Sequence, residues 1–102
     1  LEYVNTLCKD LGTIQKFEVN EAVFGNIDLE IVTSKGVRLN IVSDRGEFKC
    51  YLKRKCLFRP LTPINKILGE EKVASFCSLE EVVDCLKNNL ETIENKCFRL
   101  WI

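Results

Sequence analysis

Histidine is absent from this chain, and that absence excludes more chemistry than any other feature of the composition. Without an imidazole there is no Ser-His-Asp or Cys-His nucleophile and no histidine-ligated zinc or iron. Nor is there a side chain whose ordinary pKa lies near neutrality. An enzyme built from this sequence would have to work with carboxylates, lysine or a bare cysteine, so a non-enzymatic role is expected. No C-x-x-C pair occurs, which removes the usual redox motif and the usual zinc knuckle. No apolar run approaches the roughly 18–20 residues that span a bilayer, and no membrane partner is expected. Methionine is absent too, so an initiator is expected upstream of Leu1. The opening LEYVNTLCKDLG carries Glu2 and Asp10 where a secretory leader would be basic and then apolar, and it is read as part of the folded domain. There is no excess of charge of either sign, with 15 basic and 15 acidic residues.

What is present fits an ordinary soluble domain. The 102 residues, 46% of them hydrophobic, suffice for one α+β domain with a real core and no need of staples. Six cysteines are many for this length. Cys8, Cys77, Cys85 and Cys97 fall in or beside predicted helices, and Cys50 lies in a predicted strand among apolar neighbours. Disulfide scaffolds are instead loop-rich and poor in aliphatics. Reduced, mostly buried thiols in a cytoplasmic protein are the reading adopted.

Along the chain, Leu1, Val4, Leu7, Cys8 and Leu11 keep the rhythm of an amphipathic helix, and Gly12 stands where a left-handed C-terminal cap is expected. Alternation begins near Ile14, with Phe17 and Val19 facing one way, and runs to a two-residue Gly25-Asn26 turn. In NIDLEIV, Ile27, Leu29 and Ile31 face opposite to Asp28 and Glu30. In VRLNIV, Val37, Leu39 and Ile41 face opposite to Arg38 and Asn40. A three-residue loop Ser34-Lys35-Gly36 would set Ile31 against Leu39 and Leu29 against Ile41. A four-residue loop Ser43–Gly46 would set Ile41 against Phe48 and Leu39 against Cys50. These runs make a meander of four antiparallel strands.

Beyond it, Thr62 as N-cap, Pro63 at the first helical position and Gly69 as C-cap bracket a short helix. Ser78-Leu79-Glu80-Glu81 reads as a capping box. The stripe Leu79, Val82, Val83, Leu86, Leu90, Ile93 and Cys97 then marks a long C-terminal helix. The helices must cover one face of the sheet, because no other element can.

Gly25, Gly36 and Gly46 are each explained by turns, and none belongs to a phosphate loop, so no cofactor is expected. Asp28 and Glu30 share a strand face and could imitate a glycosidase pair, but a domain this small offers little of the sugar cleft such a pair needs. The C-terminal third is acidic, through Glu80, Glu81, Asp84, Glu91 and Glu94 among others, and is read as solvated surface or as a docking face for a cationic partner. Trp101, in the terminal FRLWI, is an extra strand, a core plug or an exposed tail that would suit a homodimer contact.

The remaining candidate is the run from Asp44 to Arg59. Arg45 projects from the tip of a hairpin with no local duty, and Lys49, Lys53, Arg54, Lys55 and Arg59 follow, interleaved with Phe48, Tyr51 and Phe58. Arg45, Asp44, Lys49, Lys53, Arg54 and Lys55 are therefore the candidate partner-binding residues. Cations and aromatics together are also what a nucleic-acid site requires, so the stretch 49–59 carries that alternative. The run GVRLNIVSDRGEFKCYL resembles a hairpin of small bacterial proteins, several of them similar to immunity proteins that neutralise polymorphic or contact-dependent toxins. The resemblance spans Val23 to Leu52. It implies a cytoplasmic, non-enzymatic protein that binds a protein partner such as a toxin domain. Lys49, Cys50 and the basic run beyond them depart from that pattern.

Overall fold

A computed structural model describes residues 2–20, 26–53, 61–69 and 75–100, and for Leu61 and residues 97–100 the backbone alone. Helix α1 (Glu2–Cys8) precedes strands β1 (Gly12–Asn20), β2 (Asn26–Thr33), β3 (Arg38–Asp44), β4 (Glu47–Lys53) and β5 (Leu61–Pro63). Helices α2 (Ile64–Leu68) and α3 (Leu79–Leu100) follow. The strands form one antiparallel sheet in the order β1-β2-β3-β4-β5. The α+β architecture is as expected, with five strands rather than four.

The side chains that alternation assigns inward are the buried ones: Leu29 and Ile31 on β2, Leu39 and Ile41 on β3, Cys50 and Leu52 on β4. Val82, Val83, Leu86 and Ile93 of α3, Val4 and Cys8 of α1, and Ile64 and Ile67 of α2 complete the same core. All three helices thus lie against one face of the sheet. A 22-residue helix has little intrinsic stability from propensity alone, and its apolar stripe anchors it to that face. Its start is capped as expected on one side: Ser78 Oγ accepts from the Glu81 amide at 3.2 Å. The Glu81 carboxylate reaches one residue further back than a standard box, accepting from the Cys77 amide at 3.1 Å.

The β2–β3 hairpin has the expected register, Leu29 against Ile41 and Ile31 against Leu39. The β3–β4 hairpin does not. Ile41 pairs with Cys50, Leu39 with Leu52 and Ser43 with Phe48, leaving a loop of two residues, Arg45 and Gly46. Both have positive φ, 53° and 81°, which is the signature of a type I′ turn whose twist matches that of the flanking strands. The slip is two residues, so every side chain keeps its face.

Three further expectations change. Gly12 is not a helix cap. It opens β1 opposite Thr33, so close to β2 that a Cβ would sit 2.1 Å from the Val32 carbonyl oxygen. Thr62 and Pro63 belong to β5, pairing with Leu52 and Tyr51, and α2 begins at Ile64 with no side-chain cap. Proline is tolerated there because an edge strand can spare one amide donor. Gly69 does cap α2, with φ 73°. Glu94 is not solvated: it is only 5% exposed and accepts from Thr33 Oγ1 at 3.5 Å. Cys8 and Cys50 are buried free thiols, whereas Cys77 is exposed. The Gly25-Asn26 turn, apart from Asn26 itself, and Trp101 lie outside the described residues.

Candidate functional site

With the helices on one face, the outward-pointing residues of β1 to β4 make up the other, on which no described helix lies. Pairing brings them into cross-strand rows. Lys16, Glu30, Asn40 and Tyr51 form one row, and Glu18, Asp28, Val42 and Lys49 the next. Val32, Arg38 and Lys53 form a third.

The β1–β2 half of this face is acidic and its charges are tied down. Asp28 accepts from the Asn40 side-chain amide at 2.8 Å and pairs with Lys16 at 3.2 Å. The Asn40 hydrogen bond, with Lys16 and the charge of Lys53 behind it, holds the Asp28 carboxyl below its ordinary value despite partial desolvation. Lys16 also reaches Glu18 at 3.6 Å, and its ammonium pKa is raised, chiefly by the hydrogen bond to Asp28. Glu30, with a side chain 14% exposed, pairs with Lys53 at 3.3 Å. Asp28 and Glu30 are thus members of an ionic face, each held by a cation.

The β3–β4 half is basic and less committed. Lys53 is engaged by Glu30, but Arg38, Lys49 and Arg45 make no ion pair among the described residues. Arg38 is exposed, while Lys49 and Tyr51 are half-buried by their strand neighbours. Asp44, Arg45, Gly46 and Glu47 form the exposed tip of the hairpin. β4 is clamped from the side next to this tip: the Phe48 and Phe76 amides and carbonyls exchange two 2.8 Å hydrogen bonds. The tip therefore projects from a strand held on both sides.

Of the predicted site residues, Asp44 and Arg45 share the tip, and Lys49 and Lys53 share the outer sheet face behind it. Arg54 and Lys55 lie outside the described residues.

No family model matches this chain, and no curated protein and no solved structure matches it either.

Sequence reasoning singled out neither Arg38 nor Asn40, yet both belong to this face. The signal was present, since alternation puts them on the side of Glu30 and Asp28. It lacked weight until the register placed them beside Lys53 and Tyr51. Arg45 is the one non-glycine residue with positive φ among the described residues. Left-handed backbone costs an L-residue about 1–2 kcal/mol, and the Asn-Gly pair that type I′ turns prefer would avoid much of that cost. A strained, exposed, unpaired arginine on a clamped hairpin is an arrangement suited to reaching a carboxylate on another molecule. Among the described residues no cluster of three or more Cys, Asp or Glu side chains is arranged to hold a metal, and no helix is long and apolar enough to cross a membrane.

Proposed function

We propose that this protein is a non-enzymatic binding module that acts by occupying the surface of a protein partner, in the manner of the toxin-neutralising immunity proteins its β3–β4 segment resembles. The contact surface is the β3–β4 hairpin: the tip Asp44 and Arg45, backed by Lys49 and Arg38 on the outer sheet face. The observation that carries this reading is Arg45, kept in a left-handed conformation that favours Asn or Gly while it makes no ion pair among the described residues. Strain retained at an exposed position points to a role outside the fold. The partner surface is correspondingly acidic.

The test is to co-express the chain with the product of the adjacent gene and to measure growth and complex formation. Relief of growth inhibition, with a complex weakened by more than about 1 kcal/mol on Arg45→Ala, is the expected result. Equal binding by wild type and variant would remove the hairpin tip from the interface. The alternative, a nucleic-acid-binding or regulatory domain using residues 49–59, would show itself as retention of nucleic acid that falls steeply with salt. Asp28 and Glu30 count against it, because they place carboxylates on the face a phosphate backbone would have to cross.

A further inference from the structure

The sheet ends differently at its two edges. β5 is three residues long and runs straight into α2, a short edge of the kind that discourages further pairing. β1 is nine residues long and, among the described residues, pairs only with β2. Gln15, Lys16, Glu18, Val19 and Asn20 on it are all exposed. Val19, at 48%, is one of two large exposed hydrophobics among the described residues, and it lies on the helix-bearing face beside half-buried Phe17. A long edge strand whose outer backbone groups have no strand partner among the described residues, and which has an apolar inner margin, is a template for another strand.

We infer that the β1 edge binds a second copy of this chain, joining two sheets across a two-fold axis centred on Phe17. Charge selects both the occupant and the register. In antiparallel pairing, residues directly opposite share a face, so a two-fold axis perpendicular to the sheet must pass at one residue of β1. Centred on Phe17, it sets Lys16 against the partner's Glu18, and the partner's Lys16 against Glu18. Phe17 then meets its own symmetry mate on the inner face. Centred on Lys16 or on Glu18, it would oppose like charges. Within one chain Lys16 already lies between Asp28 at 3.2 Å and Glu18 at 3.6 Å, and the second Glu18 approaches it from the solvent side. The β-bulge between Ile14 and Lys16 bends the earlier part of the strand and confines pairing to the segment around Phe17. A short pairing of this kind gives a concentration-dependent dimer. This interface is separate from the β3–β4 tip, and both can be occupied at once.

Sedimentation velocity over a concentration series tests it, with circular dichroism to confirm folding. The wild type should shift from monomer to dimer as concentration rises. Glu18→Lys and Val19→Lys should each weaken the dimer on the order of tenfold or more while remaining folded, since both side chains are exposed. A mixture of Lys16→Glu with Glu18→Lys chains should form a heterodimer where neither variant self-associates, because each then meets the opposite charge. A wild type that stays monomeric up to millimolar concentration overturns the proposal. So does a dimer indifferent to both Glu18→Lys and Val19→Lys, which would place the contact elsewhere.

Discussion

Replacing Arg45 by Asn separates what the hairpin tip does for the fold from what it does for a partner. Arg45 and Gly46 form the two-residue loop between β3 and β4, with φ of 53° and 81°. The left-handed region costs an ordinary L-residue about 1–2 kcal/mol. Asn recovers part of this, because its short side chain hydrogen-bonds to nearby backbone and tolerates that region. The exposed arginine makes no ion pair among the described residues, so its loss removes little else from the folded state. The variant should therefore be more stable than wild type by about 0.5–1 kcal/mol. For 102 residues that raises Tm by about 2–5 °C. Thermal and urea unfolding followed by circular dichroism would measure it, with an unchanged m-value expected because the surface exposed on unfolding is the same. The same variant should bind the partner more weakly, since Asn cannot present a charged fork. Greater stability with weaker binding is the signature of a residue retained for function at a cost to the fold. A Tm equal to or below that of wild type would refute the type I′ reasoning. Stronger stability with undiminished binding would leave the turn intact and remove Arg45 from the interface.

Other consequences follow from particular contacts. Gly46→Val should destabilise by more than about 1 kcal/mol through backbone strain, since nothing lies within 4 Å of the added Cβ. Gly12→Ala should cost about 1–3 kcal/mol for the opposite reason, as its Cβ meets the β2 backbone and the strands must part; an unchanged urea midpoint would contradict that close approach. Leu86→Ala, at a fully buried position of α3, should cost about 2–5 kcal/mol. Ser78→Ala, which removes the hydroxyl accepting from the Glu81 amide, should cost about 0.5–2 kcal/mol. Asp28 has its folded-state pKa lowered, so it binds protons more weakly in the folded than in the unfolded chain. Its contribution to stability is present above about pH 4 and is lost as pH falls through the folded-state value. Asp28→Asn should thus flatten the acid limb of the stability profile, and an unaltered limb would show the Asn40 contact to be idle. Burial pushes the Cys8 and Cys50 thiols up, so alkylation read by peptide mapping should mark Cys77 well before either of them.

The alternation of Ile27, Leu29 and Ile31 with Asp28 and Glu30, and its repetition on β3, determined by themselves which side chains face the core. Side chains on a strand have a period of two whatever the strand pairs with. The α3 stripe was equally legible: Val82, Val83, Leu86 and Ile93 are fully buried as the 3.6-residue period requires. Gly36 and Gly69 were readable as turn and cap because each must take positive φ within a local loop. What the pattern could not determine is register, since a slip of two residues preserves every face. The β3–β4 pairing was decided by the twist of the I′ turn, and an arginine in that turn is poor sequence evidence for it. β5 exists because β4 offers a ladder to Leu61, Thr62 and Pro63, a run too short to read as a strand and one that ends in proline. Gly12 needs its missing side chain only because β2 comes close, and Glu94 is buried only because α3 crosses the end of the sheet that holds Thr33. The same holds for the candidate site. The cations near the hairpin were visible in the sequence. Their division into Lys53, held by Glu30, and Arg38, Arg45 and Lys49, unpaired among the described residues, depends on distances across three strands. Local periodicity carries information about faces, and only the packed sheet carries information about neighbours.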